Sequence, residues 1–301
     1  MASAVAGVGT AGNARALARD ARRERLAKLA LALPALALIT IVMLVPVAWL
    51  FGLSFLGDDG HATLAHYRRI VAEPAYWRAF VTTFQVSALT TLICIALGYP
   101  LAYVLAALPA RIAAIALVFV MLPFWTSLLV RTYAWLVLLQ RNGLVNALGM
   151  KLGLWGAPLT LVNNLPGTLV GMVHIMLPFF VLPLYGAMRA IDRECLKAAA
   201  SLGASPTRAF LRVFLPLSLP GLVAGALIVF VLCLGFYVTP AVLGGGKVIM
   251  VSNRIANDIE LFFNWGAASA LGVVLLVLTL AFLGIAVRLR GVGGALGGHD
   301  T

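Results

Sequence analysis

An all-α integral membrane fold with six transmembrane helices is what this sequence predicts, and three observations carry that prediction. Charged residues make up only 11% of the 301 residues, hydrophobic residues make up 62%, and the apolar residues gather into six long runs. A soluble domain carries roughly a quarter charged residues. With so little charge, and a mean hydropathy of +1.03, the chain cannot cover itself with a water-compatible surface, so lipid is its solvent over most of its area.

A helix needs ~20 mostly apolar residues to cross a bilayer. The six runs are residues 29–55, 80–107, 112–129, 165–188, 219–243 and 267–287, free of Asp, Glu, Lys and Arg except near their ends. Helices satisfy their backbone within lipid and open strands do not. Barrel strands would alternate apolar and polar residues, and these runs do not. The first run follows a long basic segment and is too long for a signal-peptide core, so a retained helix is expected there. Pro100, Pro123, Pro178 and Pro183 fall within runs and mark expected kinks.

Lysine and arginine set the orientation, because cytoplasmic loops carry the excess of them. With the N-terminus inside, 14 of the 22 Lys and Arg residues fall on the inner side and 8 on the outer. That assignment, N-in and C-in, puts Trp77, Trp125, Trp135, Trp155 and Trp265 near the outer interface, where indole rings prefer to lie. The net charge of +12 sits between apolar runs and not on an interleaved basic and aromatic face, which argues against nucleic acid as a partner. Cys94, Cys195 and Cys233 are too few and too scattered for a disulfide framework or a zinc site. Residues 1–28 read as a basic cytoplasmic tail, either merely solvated or a surface helix on anionic lipid, and residues 289–301 as a flexible glycine-rich tail.

The loop between the fourth and fifth runs is the most informative segment. Asp192 and Glu194 suit a helix N-terminus, where free N–H groups favour negative charge. Gly203 is a natural stop for that helix, and Ser205 followed by Pro206 starts a second one. Phe210, Val213, Phe214 and Leu217 recur on one helical face, Arg208 and Arg212 on another, and Pro216 and Pro220 are expected to end the unit. The result is a small-residue knuckle with a basic flank. Two readings stand on physics alone: a surface that docks into another protein's groove, or an ordinary hairpin joining two spans.

This segment resembles the cytoplasmic signature loop of ABC importer permeases, which runs E-A-A, three residues, G, nine residues, I-x-L-P. Here the matching positions are Lys197, Ala198, Ala199, Gly203, Val213, Leu215 and Pro216. Lys197 replaces the glutamate that begins the pattern. The resemblance implies a type-I importer permease core over residues 80–288, with a coupling loop at 189–217. In it Lys197, Ala198, Ala199, Gly203, Ala204, Ser205, Pro206, Val213, Leu215 and Pro216 meet a separate ATPase. The implied partners are an ABC ATPase dimer, a second homologous permease, a solute-binding protein and membrane lipid. The segments 122–135 and 234–245 resemble the spermidine/putrescine-type members, so the implied cargo is a polyamine or another small organic solute.

No ATP site of its own is expected. Gly244, Gly245, Gly246 and Lys247 precede Val248 where a phosphate-binding loop needs Ser or Thr, so they read as a flexible outer loop. No cofactor, metal or catalytic residue is expected. His174 lies inside a run, either as a neutral histidine bonded between helices or as a substrate or proton site. Arg131 either snorkels to the interface or orders an outer gate. Phe236, Tyr237, Thr239 and Pro240 close the fifth run as an aromatic belt or as the exit of a cation path. Asp58, Asp59, His61 and His66 sit together in the first outer loop, with a solvated Asp59-Gly60 turn the simpler reading than a metal site. A secondary transporter or channel is the competing class. It calls for buried ionisable residues or paired discontinuous helices at the midplane.

Overall fold

The computed structural model describes residues 6–57 and 60–295. It is all helical, with no strand among the described residues beyond an isolated bridge between Leu56 and Ala62. The helices are α1 (Ala6–Leu53), α2 (Ala65–Ala72), α3 (Pro74–Ala107), α4 (Ala110–Met121), α5 (Leu128–Leu139), α6 (Leu144–Lys151) and α7 (Leu165–Arg189). They continue as α8 (Arg193–Ser201), α9 (Pro206–Ala209), α10 (Leu215–Leu234), α11 (Val238–Leu243), α12 (Val251–Glu260) and α13 (Trp265–Ala295).

Five segments are long and apolar enough to cross a bilayer: Ala30–Leu53, Pro74–Ala107, Leu165–Arg189, Pro206–Leu234 and Trp265–Ala286. At the run 112–129, where a kink is expected at Pro123, the break is sharper than a kink. The sixth crossing is a pair of segments, Ala110–Trp125 and Leu128–Lys151, bent by 93°. The cause is local. Pro123 starts a 3-10 turn over Leu122–Trp125, and Thr126 Oγ1 donates to Pro123 O at 2.8 Å, closing it. Thr126 and Ser127 are then extended, so helical bonding cannot pass through them. The other expected kink sites, Pro100, Pro178 and Pro183, lie in helices that run on uninterrupted.

The core is a triad of α3, α7 and α10. Phe180, Met172, Met176 and Leu184 of α7 are fully buried, against Val86 and Cys94 of α3 and Val229 and Cys233 of α10. Phe180 sits where both neighbours have glycine. A Cβ at Gly98 would strike its ring, and one at Gly225 would lie 2.8 Å from its carbonyl oxygen. Lipid tails are as apolar as leucine, so helices gain by close packing, and small residues permit it. A second, smaller cluster joins Tyr76, Ala79 and Phe80 of α3 to Val251 and Leu271.

The helix α1 runs unbroken from Ala6, so no helix boundary separates tail from span near residue 28, and α13 stays helical to Ala295 through the glycines at 291, 293 and 294. Residues 296–301 lie outside the described residues, as do Asp58 and Asp59. His66 is buried, with Nε2 3.0 Å from Leu56 O, and no metal-binding cluster occurs among the described residues. The glycine loop is also no loose strap. Gly245 and Gly246 adopt φ of 53° and 75°, and Asn163 N–H donates to Leu243 O at 2.9 Å just before them.

Candidate functional site

The predicted knuckle forms as its capping residues dictate. Asp192 caps α8 by accepting Glu194 N–H at 2.9 Å. At the other end Gly203 has φ 77°, its N–H donates to Ala200 O, and Ala204 N–H donates to Ala199 O, both at 3.0 Å. This pair of bonds is the Schellman ending, which needs a residue in the left-handed region. Ser205 then caps α9, with its Oγ accepting Arg208 N–H at 3.4 Å and Pro206 in the first turn. Lys197 Nζ lies 2.7 Å from Glu194 Oε1, with both side chains about 70% exposed, and Ala198 is exposed beside them. At the tip, between α8 and Gly203, Leu202 is 89% exposed. In the sequence Leu202 reads only as the last residue of the first helix before Gly203. Only the turn geometry shows that it points outward.

One expectation fails here in an instructive way. Pro216 and Pro220 do not end the hairpin. Residues Pro206–Leu234 form one continuous helix containing a π turn over Phe210–Phe214. Leu215 N–H donates to Phe210 O, five residues back, and the wider turn makes room for the ring of Pro216. The π turn also aims Phe210 and Phe214 at α3. Tyr103 meets their rings edge-on at 5.5 and 5.1 Å, and Tyr99 meets Phe210 at 6.3 Å. Tyr99 OH and Ser218 Oγ lie 2.9 Å apart. Val213 and Leu215 are half-buried next to this aromatic root and Pro216 is exposed. A cavity of about 340 Å³ opens beneath α8 between Tyr103, Met188, Leu196 and Phe214. Arg189 closes the same end of the bundle, with Nη1 3.3 Å from both Ala106 O and Leu108 O.

At the opposite end, α5, α7 and α11 gather several of the predicted pathway residues. Trp135 Nε1 donates to His174 Nδ1 at 3.0 Å. Indole nitrogen is only a donor, so His174 is neutral with its proton on Nε2. The bond joins α5 to α7. Arg131 lies one turn before Trp135, half-buried, with a buried Nε that has no hydrogen-bond partner. Thr132 and Thr239 hydroxyls lie 3.4 Å apart, and a Cβ on Gly171 would strike Thr239, so α7 and α11 touch closely.

Phe236 and Tyr237 do not close a continuous fifth span. The helix α10 stops at Leu234, these two residues form a break, and Thr239 and Pro240 are buried in α11. Two carbonyls of the break accept from α12: Ser252 Oγ donates to Phe236 O at 2.6 Å, and Asn253 Nδ2 donates to Tyr237 O at 3.1 Å, which also accepts Ala241 N–H of α11. The far end of α12 carries Arg254 and Asp258. Arg254 Nε lies 3.3 Å from Asp258 Oδ1, and Tyr76 OH donates to Asp258 Oδ2 at 3.4 Å. Burial raises the Asp258 carboxyl above its ordinary range, and Arg254 opposes that rise.

Comparison with known proteins places this architecture. Residues 96–290 match the family described as the binding-protein-dependent transport system inner membrane component. The PotB spermidine/putrescine permease protein of Haemophilus influenzae is 33% identical over 249 residues, covering 80% of this chain and 87% of that protein. Its Escherichia coli counterpart is 31% identical over 245 residues, covering 79% and 89%. A bacterial alginate ABC transporter chain, solved with a pentasaccharide-bound periplasmic protein, superposes with a TM-score of 0.70 at 18% identity, covering 89% of this chain and 94% of that one, and shares the fold. The chain therefore belongs to the inner membrane components of binding-protein-dependent transport systems, and is a permease subunit of an ABC-type importer, not an enzyme.

Proposed function

We propose that this permease forms one half of the translocation path for a polyamine of the spermidine/putrescine class. A periplasmic binding protein delivers the solute to the outer helices, and a second, homologous permease supplies the other half. A separate ATPase dimer grips the knuckle at 189–217. The observation that carries the coupling assignment is the knuckle itself. A rigid, capped hairpin presents Leu202 at its tip, next to Ala198, Ala199, Gly203 and Ala204. It is rooted in a helix that continues across the membrane to Leu234. ATP-driven closure of the partner would push that hairpin, and the helix carries the push to the outer side.

The polyamine assignment draws on the relatives at 31–33% identity. The spans offer no carboxylate to a cation, so selection falls mainly to the binding protein. Within this chain, Tyr237 is 41% exposed at the α10 break and offers a π face to an ammonium group. Uptake of radiolabelled spermidine and putrescine, in cells lacking the chromosomal copy and complemented with this chain, tests the reading. ATP-dependent uptake that labelled amino acids and sugars do not compete for is the expected result. Complemented cells that take up neither polyamine would exclude the substrate, and uptake that persists with an inactivated ATPase would exclude the importer mechanism.

A further inference from the structure

We infer that α12 is a bracket that fixes the outer end of α10 to the outer end of α3, making Ser252 and Asn253 positioning residues for transport. Three sets of bonds meet on this ten-residue helix. Its first turn holds the α10 break through Ser252 to Phe236 O and Asn253 to Tyr237 O. Its first N–H, of Val251, donates to Thr83 Oγ1 of α3 at 2.8 Å, in a fully buried bond. Its middle and last turn are anchored on α3 through Tyr76, whose ring stacks under the Arg254 guanidinium at 4.6 Å and whose hydroxyl meets Asp258.

A helix that stops inside a membrane protein leaves carbonyls that lipid cannot satisfy, each costly if left alone. At this break Phe236 O and Tyr237 O, just beyond the last turn of α10, accept from side chains of α12, and Tyr237 O also accepts Ala241 N–H of α11 at 3.1 Å. The break is thereby tied to α3 as firmly as α12 is. Because Pro206–Leu234 is continuous, a push on the knuckle cannot be absorbed along α10. It must move α3, α10 and α12 together, or tear the bonds at the break. The bracket makes the first outcome the easier one, so motion at the inner face becomes motion of the outer helices as one body.

This inference rests on the proposed importer function, and its test separates the two. Asn253 has two roles that substitution can divide: Oδ1 accepts Met250 N–H at 3.2 Å, capping α12, while Nδ2 holds Tyr237 O. Asn253→Asp keeps the acceptor and removes the donor, and Ser252→Ala removes the other donor alone. The complete complex, reconstituted in proteoliposomes with its ATPase and binding protein, is assayed for ATP hydrolysed and for solute moved. In the double variant, solute moved per ATP should fall ~10-fold, a loss typical of coupling between sites, while basal hydrolysis stays near wild type. Ser252→Thr alone, which keeps the hydroxyl donor, should couple as wild type does. A merely structural role would lower hydrolysis and transport in parallel. If the double variant moves as much solute per ATP as wild type, the bracket is wrong. If wild type itself assembles with no ATPase, the importer reading fails instead. Should the double variant not assemble, the two single variants are read by the same ratio.

Discussion

The two ends of this bundle are built by different physics. The inner knuckle is local. Each of its turns is fixed by residues at most five apart, through the Asp192 cap, the Gly203 ending, the Ser205 cap and the π turn at Phe210–Phe214. The outer end is non-local. Its helices and the break after Gly235 are tied by side chains far away in sequence: Trp135 on His174, Thr132 beside Thr239, Ser252 and Asn253 on the α10 break, Tyr76 on Asp258. A locally encoded part keeps its shape while it is pushed. An end tied by bonds between distant segments passes that push from one helix to the next.

The largest expected effect comes from the knuckle. Gly203→Glu should abolish solute uptake, since it forces a side chain into the left-handed region and places charge where the partner docks. Gly203→Ala separates the two causes. An added Cβ meets nothing within 4 Å there, so only conformational strain of ~1 kcal/mol remains, and uptake should fall by a smaller margin. Leu202→Asp should release the ATPase from the detergent-solubilised complex without changing the thermal stability of the permease, because the side chain is almost wholly exposed. Equal retention of the ATPase would remove Leu202 from the interface.

A smaller effect is expected at the outer end. Trp135→Phe removes the donor to His174 and should lower stability by ~1 kcal/mol, read as a reduced melting temperature of the purified permease. The smallest effect concerns Asp258. Its folded carboxyl titrates above the ordinary value of 3.8, so the folded state holds this proton more tightly than the unfolded one. The stability from that proton is fully present below 3.8 and is lost as pH rises through the folded value. Asp258→Asn cannot titrate, so the melting temperature of wild type relative to the variant should rise as pH falls through that window. A constant difference would mean that Arg254 fully offsets the burial.

The same contrast explains what was legible in the sequence. Composition and run length place six apolar runs, of which 112–129 and 219–243 prove to be broken, and capping residues dictate the knuckle down to the positive φ of Gly203. The sixth crossing was drawn as one helix because hydropathy does not register a break when the residues on both sides are apolar. Pro123 was seen as a kink, yet its effect depended on Thr126 closing the turn behind it. Pro216 looked like a stop and was not, since a π turn absorbed it. The bond from Trp135 to His174 was not legible, and Ser252 and Asn253 drew no notice. Nothing in a single sequence says which distant carbonyl an exposed-looking amide will meet.

The central claim is that the knuckle at 189–217 couples this permease to a separate ATPase. The most direct measurement is gentle purification of the tagged chain from its native membrane, with mass spectrometry of what accompanies it, run beside the Gly203→Glu variant. An ATPase and a second permease should copurify with wild type, and the variant should lose the ATPase. Wild-type chain that emerges alone, from conditions that keep other ABC complexes intact, would contradict the account.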